Sequence, residues 1–221
     1  MAAVVHHLPW EGELRVAGVR RAGEVAAQPR GTVPSGFARL DAVLPGGGWP
    51  RGALVELQLA SAGIGELQLL AGALASQERA GRVVFLAPPA EPGLAALQGL
   101  GLSPAAITVA RPREGRDQRW VAEQVLRSGA FAVVLLWWPA PLDDRMARRL
   151  SLAIAAGGGL GFVFCPPSRV ANGVPLRLGL RGVGAGALQV DVVKRRGPPV
   201  APVHLEWSDA VARLPVSLAR A

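Results

Sequence analysis

The sequence predicts an α/β protein: a mainly parallel, twisted sheet with helices on both faces and an antiparallel C-terminal extension. Three observations carry this. Apolar runs alternate with helix-period segments from about residue 53 onward. The run "AFAVVLLWW" (130–138) is continuously apolar, as a parallel strand covered on both faces must be. The end of the chain turns to short strands set between Gly- and Pro-rich turns.

In order, "ALVELQLA" (53–60) reads as a strand. "ELQLLAGALASQERAG" (66–81) reads as a helix with Leu67, Leu70 and Leu74 on one face. A strand at 82–87, a helix near 91–100 and a short strand at 105–110 follow. "GRDQRWVAEQVLRSG" (115–129) carries a stripe of Val121, Val125 and Leu126, so it is a helix packed on the sheet. After the strand at 130–138 come a helix over 142–156 and a strand "LGFVFC" at 160–165. "VPLRLGLRG", "ALQVDVVKRR" and "PVHLEW" are expected as the antiparallel extension. Residues 1–30 lack a strong pattern and read as an N-terminal arm, 31–207 as the core domain and 208–221 as a C-terminal tail.

At 221 residues the chain can bury one large core. Its single cysteine, Cys165, excludes an internal disulfide and fits a reducing cytoplasm. No run reaches the length of a membrane span, and the start lacks the pattern of a secretory signal, so a cytoplasmic location without membrane contact is expected. The net charge of +8 comes from 23 arginines and one lysine, and favours an acidic partner such as nucleic acid or an acidic protein surface.

The stretch "ASAGIGEL" (60–67) sits where a phosphate loop would link a strand to a helix. Such a loop, G-x-x-x-x-G-K-[S/T], offers backbone N–H groups to an anion, a lysine to the phosphates and a hydroxyl to Mg²⁺. Here Gly65 holds the second glycine position and Gly63 still permits a tight turn. Ala60 replaces the first glycine, Glu66 the lysine and Leu67 the hydroxyl. At roughly 5 Å and an effective dielectric of about 20, Glu66 would oppose each phosphate charge by about 3 kcal/mol. On these residues alone an ordinary strand–turn–helix, with Gly65 as N-cap and Glu66 on the helix dipole, is the favoured reading.

The surroundings favour the first reading. "PSGFARLDAVLPGGGWPRGALVELQLA" (34–60) resembles the segment leading into the phosphate loop of RecA-family recombinases. The likeness rests on Ser35-Gly36, Leu40-Asp41, Gly46-Gly47-Gly48, Pro50, Gly52 and Val55-Glu56. "RSGAFAVVLLWWPAPL" (127–142) resembles that family's second nucleotide-binding strand, and "LQVDVVKRR" its late strand ending in "VVK". Within this RecA/SulA-like family the chain is most similar to the ImuA group of translesion-synthesis proteins. The resemblance also marks what is missing. Trp137 stands for the metal-binding aspartate, and Pro89 for the water-activating glutamate. With Glu66 and Leu67, no part of phosphoryl-transfer chemistry is recognisable. The expectation is a non-catalytic domain without a cofactor.

Asp143 and Asp144 read as the start of a helix rather than as metal ligands. His6, His7 and His204 lack partners at ligand spacing, and Ser61 and Ser168 lack a base. Arginines cluster as Arg111, Arg113, Arg116 and Arg119; Arg145, Arg148 and Arg149; Arg169, Arg177 and Arg181; and Lys194-Arg195-Arg196. Each cluster is either a solvated face or a contact. By resemblance, Arg169 to Arg181 are candidates to face DNA, and Lys194 to Arg196 to face DNA or a neighbouring subunit. Adjacent residues in a strand point to opposite faces, so one of Trp137 and Trp138 is expected in the core and the other in the vacated nucleotide pocket.

The resemblance implies an adaptor in SOS-induced translesion synthesis. Its implied partners are an ImuB-type Y-family polymerase-like protein, RecA, an error-prone replicative polymerase subunit and DNA. Two other readings stand beside it: a small recombinase-type ATPase with a variant loop, and a SulA-like cell-division inhibitor.

Overall fold

A computed structural model describes residues 6–7, 31–78, 81–113, 115–184 and 186–210. Eleven strands and five α-helices run in the order β1 (His6–His7), β2 (Thr32–Val33), α1 (Ala38–Asp41), β3 (Trp49–Pro50), β4 (Leu54–Gln58), α2 (Glu66–Glu78), β5 (Arg82–Leu86), α3 (Leu94–Gly99), β6 (Ile107–Ala110), α4 (Arg116–Ser128), β7 (Phe131–Trp137), α5 (Asp144–Gly157), β8 (Leu160–Cys165), β9 (Leu176–Val183), β10 (Ala187–Lys194) and β11 (Val203–Glu206) among the described residues. A 3₁₀ turn, Trp207–Asp209, follows β11. Of the expected arm, only His6–His7 is described, and of the tail only Ser208 to Ala210; the rest lies outside the described residues.

Nine strands form one sheet in the order β1-β6-β5-β7-β8-β4-β9-β10-β11, and β2 with β3 makes a small antiparallel pair. Every pairing from β1 to β9 is parallel. The α/β architecture is therefore the expected one. One detail differs: β9 pairs in parallel with β4, Glu56 opposite Arg177, and only β10 and β11 are antiparallel. The segment 166–175 carries the chain back over the sheet after β8, so β9 can start from the same edge as β4.

Two cores explain why these sequences fold this way. On one face Val55 and Leu57 of β4 meet Leu69, Leu70 and Leu74 of α2, with Leu97 of α3 and Leu40 of α1. On the other, Leu54 and Val134 meet Val121 and Val125 of α4 and Leu150 and Ile154 of α5. The apolar stripes of α4 and α5 predict that contact; on α2, Gly72 lets Ser35 and Gly36 approach, since a Cβ there would lie 2.9 Å from the Ser35 carbonyl oxygen. Gly157 lets the ends of α4 and α5 touch, since a Cβ there would lie 2.1 Å from the Leu126 carbonyl oxygen. Asp143 caps α5 by accepting from the Met146 amide at 2.7 Å, and Asp144 pairs with Arg148 one turn on. Among the described residues no helix is long and apolar enough to cross a membrane, and no group of His, Cys, Asp and Glu could hold a metal ion.

Candidate functional site

The chain leaves β4 at Leu59 and re-enters regular structure at Glu66, so 60–65 is a strand-to-helix loop at the carboxyl edge of the sheet. Ala60, Ser61, Ala62 and Gly63 are exposed, whereas Glu66 is 5% exposed. The Gly63 amide donates to both oxygens of the Glu66 carboxylate, at 2.8 and 3.1 Å. The Gly65 carbonyl accepts the first helical bond from Leu69 at 2.9 Å. Glu66 therefore does more than replace a lysine. It folds back as the loop's own anion and takes an amide that a phosphate would need. Leu67 is half-buried against the α2-side core.

Gly65 has a second role, legible only in three dimensions. Its φ is +103°, and a Cβ there would lie 2.4 Å from Trp207 Cζ2. The indole of Trp207, which also meets Phe37 edge-on at 6.2 Å between centroids, packs directly on the loop backbone. The glycine that reads as a phosphate-loop position is the seat of this tryptophan.

At the end of β7 the Trp137 ring lies 5.6 Å from Phe85 and 4.7 Å from Phe164. Gln118 of α4 donates to the Trp137 carbonyl at 2.9 Å. Trp137 packs on the α2-side core and Trp138 on the α4/α5 side, as strand alternation requires. Contrary to the expected division of labour, both are half-buried and both line a cleft of about 440 Å³. The cleft opens at the carboxyl ends of the central strands, the usual ligand position in such sheets. Its walls include Pro88, Pro89, Pro112, Pro139 and Pro166, and among the described residues Arg111 is the only charged side chain lining it.

These residues do not fit a nucleotide with its metal ion. The lysine position holds a carboxylate already bonded to the loop, the described residues of the cleft wall include no Asp or Glu for a cation, and its prolines offer no N–H donors.

Behind the cleft lies a buried polar cluster that sequence reasoning missed. Glu56 on β4 is 0% exposed and Arg177 on β9 is 3% exposed, with Arg177 Nε 3.0 Å from Glu56 Oε1. Gln58 Nε2 donates to Glu56 Oε1 at 2.6 Å and Asn172 Nδ2 to Glu56 Oε2 at 2.7 Å. Arg177 and Gln58 also reach the Ser168 carbonyl, and Lys194 donates to the Asn172 carbonyl at 2.7 Å. The segment 166–175 is thereby tied to the sheet. The available signal was Glu56 and Arg177, each set between apolar residues of a strand, where a charge demands a buried partner.

Cys165 borders both cleft and cluster. Burial, and then the Glu56 carboxylate, push its thiol up from 9.0 to about 12. The folded state holds this proton more tightly than the unfolded state. Stability from this group is therefore full below about pH 9 and falls as pH rises towards 12, with a limiting slope of about 1.4 kcal/mol per pH unit. The chain has no tyrosine and one lysine, so few other groups titrate there. Urea unfolding at pH 8 and pH 10 should show this loss, and Cys165→Ala should reduce it.

The arginine candidates divide. Arg177 is corrected outright: it is buried in an ion pair and cannot face DNA. Arg195 is half-buried and bonds the Val43 carbonyl, and Lys194 is engaged as above, so of that trio Arg196 alone is an exposed side chain without a bond described here. Arg181 pairs with Asp191 at 2.9 Å on the face of β9 and β10. Arg111 pairs with Glu91, Arg148 with Asp144 and Arg149 with Glu123. Arg113, Arg119, Arg145 and Arg169 are exposed and take no carboxylate among the described residues. Arg116 opens α4, and its side chain lies outside the described residues. Pro89 is exposed on the cleft wall.

No protein-family model matches the chain. Among curated proteins it is similar to the Protein RecA of Nocardioides sp., with 31% identity over 130 residues, 58% of this chain and 36% of that protein. The Protein RecA of Nocardia farcinica is 32% identical over 130 residues, covering 58% of this chain and 37% of its own length. That of Lactobacillus delbrueckii subsp. bulgaricus is 30% identical over 128 residues, 58% of this chain and 38% of its own length. The chain carries a RecA-like domain. It spans little more than a third of the length of these relatives.

Proposed function

We propose that this RecA-like domain is non-catalytic and acts by binding, as an adaptor in SOS-induced translesion DNA synthesis of the ImuA type. One observation carries the reading: the Glu66 carboxylate accepts from the Gly63 amide and so occupies the loop's own anion position. The missing lysine and hydroxyl, and Trp137 and Pro89 in place of carboxylates, support it. In this reading the fold supplies surfaces for an ImuB-type Y-family polymerase-like protein, with RecA, an error-prone replicative polymerase subunit and DNA as further partners. No nucleotide or metal takes part, and the protein works in the cytoplasm.

The full chain with single-stranded DNA is expected to hydrolyse ATP no faster than a blank, and Glu66→Gln is expected to change nothing. Turnover that Glu66→Gln abolishes overturns the reading in favour of a variant ATPase. Immobilised full chain is expected to capture the ImuB-type protein, and deletion of 1–30 or 208–221 shows which segment contributes. Failure of every version to bind removes the adaptor role.

A further inference from the structure

The 440 Å³ cleft is too large for an ion and large enough for one or two apolar side chains. Its lining is apolar apart from Ser61, Gln118 and Arg111. The topology surrounds it with cations from distant parts of the sequence. Each helix that follows a parallel strand begins at the carboxyl edge of the sheet, so the first turns of α4 and α5 lie beside the cleft. Gln118, on the cleft wall, and Arg119 are neighbours on α4; Pro139 precedes Arg145 on α5; and Pro166 precedes Arg169. Arg113 follows Pro112. Among the described residues the acidic groups of this region are largely engaged: Glu91, Asp144 and Glu123 are paired with arginines and Asp143 caps α5, which leaves Asp117.

We propose that this cleft docks an acidic peptide segment of a partner protein, one apolar side chain entering between Trp138 and the prolines while flanking carboxylates meet Arg113, Arg119, Arg145 and Arg169. This rests on the adaptor reading and names the partner chemistry. Charge complementarity selects the acidic flanks, and the apolar lining selects the anchor. A nucleic-acid strand fits less well. Trp137 already packs against Phe85 and Phe164, which leaves less of its ring for a base to stack on. The proline walls have no amides for a phosphate, and Glu66 has taken the Gly63 amide of the loop.

The test uses the full chain and three fluorescein-labelled probes: a short Asp/Glu peptide with a central Leu-Phe pair, the same peptide with Ser-Ser instead, and an oligothymidylate. Ala62 is exposed on the cleft wall, so Ala62→Trp fills the cleft, with urea unfolding as a check of the fold. The Leu-Phe peptide is expected to bind and to lose roughly tenfold affinity in Ala62→Trp and in the double variant Arg113→Glu with Arg119→Glu. Arg127→Glu, at the opposite end of α4, leaves it unchanged. Binding of the Leu-Phe peptide no tighter than that of the Ser-Ser peptide, or equal binding to Ala62→Trp, overturns the proposal. So does an oligothymidylate that displaces the peptide and is itself lost in Ala62→Trp. Capture of the ImuB-type protein by Ala62→Trp at full strength overturns the cleft as the docking site while the adaptor reading stands. Peptide binding with no capture by any version supports the cleft and removes the adaptor role.

Discussion

Arg177→Met is expected to destabilise the domain by about 3–5 kcal/mol, read as a shift of the urea unfolding midpoint. The reason is the carboxylate left behind. Glu56 is fully buried in the centre of the sheet, and with Arg177 gone it keeps the amides of Gln58 and Asn172 but no cation. Glu56→Leu should cost less, because a guanidinium at the end of a long side chain can still reach the Ser168 carbonyl. Glu56→Leu with Arg177→Met should recover most of the loss, since an apolar pair of similar volume replaces two charges that each needed the other. In the double variant Asn172 keeps its bond to the Leu142 carbonyl and Gln58 its bond to the Ser168 carbonyl. Unfolding of the two single variants and the double gives the interaction energy directly. A cost below about 1 kcal/mol for Arg177→Met contradicts the central place given to this pair.

Gly65→Ala is expected to cost about 2–5 kcal/mol, from two separable causes. The backbone at φ +103° lies where side-chain-bearing residues rarely go, worth about 1–2 kcal/mol. The new methyl would also meet the Trp207 indole at 2.4 Å, and overpacking of that kind costs about 1–3 kcal/mol. Trp207→Leu removes the steric part. The combination with Gly65→Ala should therefore cost less than the sum of the two single changes, the backbone part remaining. Near-neutral Gly65→Ala, measured by urea unfolding, is the result that removes this account. The point reaches beyond stability. A glycine kept for phosphate approach and one kept for a tryptophan look the same in sequence, and here the tryptophan accounts for it.

Much of the fold was legible because it is written locally. The strand "LGFVFC" falls on Leu160–Cys165, and the helix read over 115–129 is Arg116–Ser128, bounded by Gly115 and Gly129. Apolar period and glycine boundaries depend on near neighbours alone, so they survive without knowledge of the rest. The direction of β9 was not legible. "VPLRLGLRG" alternates as an antiparallel strand does and pairs so with β10, but its other partner, β4, lies more than a hundred residues earlier and runs parallel to it. Alternation reports which face is buried, not which neighbour runs which way.

The candidate site divides along the same line. That Glu66 cannot serve a phosphate follows from its charge and position in the sequence. That its carboxylate fills the loop, that Trp207 sits on Gly65, and that Arg177 is buried while Arg113 and Arg119 are exposed follow only from the tertiary structure. Residue type and spacing determine which chemistry is available to a loop or a helix face. Burial and pairing are set by segments distant along the chain, and they decide whether a charge is spent inside the protein or left for a partner.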